Sequence, residues 1–76
     1  MVCFRFLFEY DHATPTHASL STTTDVPHGS DLGAVMTELW HSLQKTHAHL
    51  AHIPYSCVRV YLQAIQGFYV VAKEAA

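Results

Sequence analysis

The stretch VCFRFLFEY, residues 2–10, alternates strictly between two kinds of side chain. Aromatic rings occupy positions 4, 6, 8 and 10, while the odd positions hold Cys3, Arg5, Leu7 and Glu9. Successive side chains of a strand point to opposite faces of a sheet, so this alternation is typical of a half-buried strand. It predicts a β-strand whose aromatic face lies in the core, and the rest of the chain must supply its partners.

The segment that follows, residues 11–30, is rich in Ser, Thr, Pro, Asp and His. An irregular loop of about 20 residues is unusual in so small a domain. The threonines favour strands, and Ala18 and Leu20 alternate with polar residues. We therefore expect a second, weaker strand over 18–24, paired with the first as a hairpin and polar enough for a sheet edge.

A helix is predicted from residue 31 to about residue 51. Ser30 is the expected N-cap, and Asp31 places negative charge where the helix dipole favours it. Pro54 closes off any continuation because it disfavours the helical backbone conformation at the residue before it. The apolar side chains that recur at the helical period are Leu32, Val35, Met36, Leu39, Trp40, Leu43 and Leu50.

Residues 55–65 and 68–74 read as two further strands joined by the dipeptide at 66–67. A two-residue turn that ends in glycine favours a tight β-hairpin. In the register that this turn implies, Arg59 faces Glu74 as a favourable cross-strand charge pair.

This order of elements predicts an α+β fold of two layers, within a single domain of residues 1–76. The sheet is mostly antiparallel, with the order ββαββ, or βαββ if the weak strand is absent, and one helix packs on one of its faces. Half of the 76 residues are hydrophobic, so the chain can form a core. Domains of this size are marginally stable and often recruit a partner subunit.

Composition weighs against several function classes. The net charge is −2 with only four Lys and Arg residues, which disfavours binding to nucleic-acid phosphates. No apolar segment approaches the roughly 18 residues of a membrane span. The two cysteines, Cys3 and Cys57, are too few for a disulfide framework and indicate reduced thiols in a cytoplasmic protein, although one bridge between them stays open.

The leading hypothesis is a non-enzymatic protein-interaction module. Both faces of the second hairpin are apolar, and one helix covers only one face of the sheet. The second sheet face must therefore be covered by a partner protein, by a second copy in a homodimer, or by the segment 11–30 folded over it. Small inhibitor or accessory proteins of phages and mobile elements, anti-CRISPR proteins among them, fall in this size class. The expected partner-binding residues are Leu7, Cys57, Arg59, Tyr61, Ile65, Phe68 and Val70.

Seven histidines suggest two alternatives. The first is a histidine-based metal-binding protein or a metal-dependent enzyme, in which His49 and His52 share a divalent metal with His28, or with His12. The metalloprotease motif HExxH is absent, and so are the common nucleophile and phosphate-binding motifs, so no catalytic residue and no cofactor are assigned. The second is a pH-responsive module, since protonation of all the histidines shifts the net charge from −2 to about +5.

Overall fold

The computed structural model describes residues 1–12, 16–65 and 67–76. In these ranges the sheet has four antiparallel strands in the order β2-β1-β3-β4, together with one α-helix. The predicted α+β fold with the order ββαββ is confirmed. The elements are β1 (Val2–His12), β2 (Thr16–Val26), α1 (Leu32–Thr46), two short 3₁₀ helices (Ala48–Leu50 and Tyr55–Cys57), β3 (Arg59–Ala64) and β4 (Val70–Lys73).

Strand β1 lies between β2 and β3, and its aromatic side faces the core. Phe6 and Phe8 are fully buried and Tyr10 is nearly so. The indole ring of Trp40, from α1, lies 5.7 Å from the Phe8 ring and 5.9 Å from the Tyr10 ring. Helix α1 therefore packs on this face, as the alternation in β1 predicts, and the buried aromatic contacts hold the two layers together.

Strand β2 is longer than the predicted 18–24 and forms the polar edge of the sheet. It pairs with β1 along its whole length, with Leu7 opposite Ser21 and Arg5 opposite Thr23. The described part of segment 11–30 thus lies beside β1, and the idea that it folds over the second sheet face is wrong. The extra length is at both ends, where Thr16 and His17 pair with β1 at one end and Asp25 and Val26 at the other, so pairing with the long β1 extends the strand.

The N-cap of α1 is Asp31, one residue later than predicted. Its Oδ1 accepts hydrogen bonds from the backbone N–H groups of Gly33 at 3.0 Å and Ala34 at 3.3 Å. Ser30 instead donates its hydroxyl to the carbonyl of Pro27 at 2.7 Å and closes the preceding turn. Either residue type can cap a helix, so this turn decides which one does.

Helix α1 also ends earlier than predicted, at Thr46 and not near residue 51. The chain continues in a 3₁₀ helix that places Leu50 in the core, where it is fully buried. The side-chain amide of Gln44 donates to the carbonyls of Leu50 at 3.1 Å and Ile53 at 3.2 Å. These bonds satisfy carbonyls beyond the end of α1, including that of Leu50, for which Pro54 has no N–H to offer in a continuous helix.

The pairing of β3 with β4 differs from the predicted hairpin. Val70 lies opposite Leu62 and not opposite Gln63, and the register shifts between Val60 and Tyr61. The connection is also longer than two residues, since β3 ends at residue 64 and β4 begins at residue 70. The turn predicted at 66–67 lies partly outside the described residues.

A one-residue slip moves each side chain to the opposite face of a sheet. Val70 is therefore on the helix side of the sheet, whereas Val60 and Lys73, beyond the shift, are paired in the predicted register. The predicted pair of Arg59 with Glu74 lies just past the end of β4 and stays a prediction. Lys73 lies opposite Val60 on the helix side, and its ammonium is bound there by backbone carbonyls.

Candidate interaction surface at the fourth strand

Exposed large hydrophobic side chains are concentrated at β4. Six such side chains occur among the described residues, and five of them are at position 65 and positions 68–71. Phe68 is 93% exposed, and the other four are between 40% and 66% exposed. Contiguous apolar patches of several hundred square ångströms usually mark interaction surfaces. These five side chains, Ile65, Phe68, Tyr69, Val70 and Val71, are called the β4 patch.

A shallow groove of about 330 Å³ adjoins the patch. Its described lining consists of apolar residues only, so a ligand in it would be held by burial of hydrophobic surface and not by charge. The lining comprises Phe4, Leu62, Ala64, Gly67, Phe68, Val70, Val71 and Ala72. The groove and the patch share Phe68, Val70 and Val71, and they form one continuous apolar surface.

Strand β4 is also an edge of the sheet, because among the described strands it pairs with β3 alone. An edge strand has a row of backbone N–H and C=O groups that another strand can pair with. The opposite edge, β2, carries Ser, Thr, His and Asp side chains, whereas residues 68–72 read FYVVA. The two edges therefore differ sharply in polarity, and β4 with the residues before it is the more apolar edge.

The one charged residue within β4 is turned away from the edge. The Nζ of Lys73 donates to the carbonyls of Tyr55 at 2.7 Å and Val58 at 2.8 Å, and it lies 4.3 Å from the centre of the Tyr55 ring. Burial lowers the pKa of Lys73, because the ammonium has lost part of its hydration. Exposed lysines commonly protect edge strands from pairing, and here the lysine does not do so.

Lys73→Ala is expected to lower the free energy of unfolding by about 1–3 kcal/mol, because two charge-assisted hydrogen bonds to carbonyls are lost. Lys45→Ala is the matched control, since Lys45 is exposed in the last turn of α1 and should cost only a few tenths of a kcal/mol. Urea denaturation measures both changes. Equal losses in the two variants would contradict the role assigned to Lys73.

The structure separates the predicted partner-binding residues into two groups. Ile65, Phe68 and Val70 belong to the β4 patch. The other four predicted residues lie outside the patch. Leu7 and Tyr61 are half-buried neighbours on the second sheet face. Arg59 is exposed at the start of β3, and Cys57 is exposed in the second 3₁₀ helix.

The second sheet face is more polar than the sequence pattern indicates. Arg5 and Gln63 are joined there by a hydrogen bond of 3.3 Å, next to the row that contains Leu7, Tyr61 and Val71. The register slip only exchanges Val70 for Val71 on this face, so its polarity comes from Arg5 and Gln63. Tyr69 and Val71 were absent from the predicted set, and the signal that marks them is the uncharged run at 68–72.

A small ionic cluster lies at the other end of the sheet. The imidazole of His17 has its Nε2 3.3 Å from a carboxylate oxygen of Glu9 and its Nδ1 3.4 Å from one of Asp11. The two strands bring these residues together because Asp11 and His17 are paired across β1 and β2. The hydrogen bond to Glu9, followed by that to Asp11, raises the pKa of His17 above its ordinary value of 6.5. The cluster borders a cavity of about 230 Å³ that also touches Cys57 and Arg59.

The raised pKa of His17 implies that protonation of this residue stabilises the folded state. This contribution is complete below the ordinary pKa and is lost as the pH rises through the raised one. The melting temperature of the wild type should therefore exceed that of His17→Asn by more at about pH 6 than at about pH 9. His41→Asn, which removes an exposed histidine of α1 outside the cluster, is the control for the substitution itself. A constant difference for His17→Asn would refute the assignment.

The predicted metal ligands do not lie on one helical face. His49 is in the first 3₁₀ helix, His52 is in the turn that follows it, and His28 is in the turn between β2 and α1. Across the residues that the structure describes, no group of three His, Cys, Asp or Glu side chains could hold a metal ion. The hypothesis of a histidine metal site therefore has no geometric support in that part of the chain.

Both cysteines are free thiols. Burial, and then a hydrogen bond with Asp25, raises the pKa of the Cys3 thiol. Because the thiolate is the reactive form, these neighbours work against a nucleophilic role for Cys3.

Within residues 1–12, 16–65 and 67–76, no helix has the length and hydrophobicity needed to cross a membrane. Comparison of the chain with protein-family models, curated proteins and solved structures gave no match.

Proposed function

We propose that this chain is a protein-interaction module that docks through the β4 patch. The observation that carries the proposal is that five of the six exposed large hydrophobic side chains among the described residues are found there. Scattered exposed hydrophobic residues are normal in a soluble protein, but a cluster of this kind costs solubility unless a partner covers it.

Phe68 is the expected anchor of the interaction. Its ring is almost fully exposed, at 93%, beside the apolar groove. Aromatic side chains that become fully buried at the centre of an interface contribute a large share of the binding energy. The two free thiols fit a reducing compartment, and we include a cytoplasmic location in the same proposal.

Site-specific photo-crosslinking in cells of the native source tests this function. A benzophenone amino acid replaces Phe68 in one variant and Ala51 in the other. Ala51 is an exposed residue that follows the first 3₁₀ helix, so it provides an equally apolar probe away from the patch. We expect a covalent adduct of one discrete mass from position 68 and none from position 51. The same adducts from both positions, or none from either, would contradict the proposal.

A further inference from the structure

We infer that the partner of the β4 patch is a second copy of this chain, with the two β4 strands paired antiparallel across a two-fold axis. The two four-stranded sheets then become one continuous sheet. This inference rests on the proposed function, and it adds the identity of the partner and the geometry of docking. Three observations on the strand and its surroundings lead to it.

The first observation concerns charge. Residues 68–72 carry none, and the Lys73 ammonium is bound to the carbonyls of Tyr55 and Val58. A symmetric pair of identical strands normally risks opposing like charges, which is destabilising. Across residues 68–72 an identical strand meets no charged side chain, so this part of the edge is complementary to itself.

The second observation concerns the other edge. A two-fold contact uses the same surface on both copies, so the assembly stops at a dimer. Pairing of β4 with β2 of a neighbour would leave a free edge on each copy, and further copies could add to form a fibre. The β2 edge is lined by Ser, Thr, His and Asp side chains, which do not match the apolar β4. The difference between the edges therefore favours a closed dimer.

The third observation concerns area. An aromatic side chain such as Phe68 presents on the order of 150–200 Å² when it is almost fully exposed. With the four other patch residues, each copy offers several hundred square ångströms, a large part of the roughly 800 Å² that each partner buries in a standard interface. Strand pairing adds backbone hydrogen bonds to this apolar contact. Because β4 has only four residues, these bonds mainly orient the two copies and the side chains supply most of the affinity.

Sedimentation equilibrium and cysteine scanning together test the inference. The unmodified chain should show a mass that rises with concentration toward twice 8.5 kDa. For the scan, Cys3 and Cys57 are replaced by serine, and a single cysteine is introduced at each position from 69 to 72 in turn. Ser21→Cys, at an exposed position on the β2 edge, is the matched control. Mild oxidation followed by non-reducing electrophoresis reports covalent dimers.

We expect the position that lies on the two-fold axis to crosslink most strongly, because there the two introduced cysteines face each other. The yield of covalent dimer should fall at the positions before and after it, and Ser21→Cys should give no dimer. Crosslinking at alternate positions only would mean that the two sheets stack face to face. That result would contradict the pairing of the two β4 strands. A monomer at high micromolar concentration would overturn the dimer itself. The proposed function would still stand in that last case if the benzophenone at position 68 captured a different protein, so the two failures are distinguishable.

Discussion

Phe8→Ala is expected to remove about 3–5 kcal/mol from the free energy of unfolding, whereas Phe68→Ala is expected to change it by less than about 0.5 kcal/mol. The chemical change is identical at the two positions. Phe8 is fully buried against the Trp40 indole, and its loss leaves a cavity between the sheet and α1. Phe68 is 93% exposed and has little native packing to lose.

Urea denaturation at low protein concentration, followed by the fluorescence of Trp40, measures both variants where association contributes little. A small domain has a total stability near the lower end of about 5–15 kcal/mol, so Phe8→Ala should be largely unfolded at room temperature. If Phe68→Ala destabilised the monomer as much as Phe8→Ala, the ring at position 68 would belong to the core and the β4 patch would not be an interaction surface.

Phe68→Glu is expected to weaken self-association by roughly 30- to 1000-fold, which corresponds to about 2–4 kcal/mol for a hot-spot residue. The substitution removes the largest apolar side chain of the patch and places two like charges at the two-fold interface. Folding should be unaffected, because the side chain is exposed.

Ala34→Glu adds the same charge at an exposed position of α1 and is the matched control. Sedimentation equilibrium of the wild type and both variants over a range of concentrations measures the dissociation constants. Equal weakening by Ala34→Glu would point to a general effect of net charge. An unchanged constant for Phe68→Glu would place the interface elsewhere on the molecule.

The first strand could be predicted from the sequence because its signal is local. Alternating aromatic residues at 4, 6, 8 and 10 specify both the extended backbone and the buried side. The stripe on α1 is local in the same way, and it places Met36 and Trp40 in the core. The fold class follows from these patterns and from the order of the elements.

The element ends and the last register depend on contacts distant in sequence. Helix α1 ends at Thr46 because Leu50 enters the core and Gln44 binds the carbonyls beyond it, which no propensity encodes. At the end of β4, Lys73 is held by the carbonyls of Tyr55 and Val58, which lie 18 and 15 residues away in sequence.

The candidate surface was predictable only in part for the same reason. Phe68, Val70 and Ile65 could be picked out as hydrophobic residues in excess of what one helix covers, but their side of the sheet depends on the register. The ionic cluster of His17 with Glu9 and Asp11 depends on the pairing of β1 with β2, which the polar sequence at 11–30 leaves open. The close spacing of His49 and His52 suggested a metal site on one helical face, but α1 ends at Thr46 and the described residues do not assemble the site.

Amide hydrogen exchange at β4 tests the central claim most directly, because it reports whether a second strand covers this edge. The outward-facing amides of β4 should exchange slowly in the wild type at high concentration, and they should exchange rapidly on dilution or in Phe68→Glu. The amides of β1, between two strands, should stay protected throughout. Rapid exchange at the β4 edge in the wild type at every concentration would contradict the account.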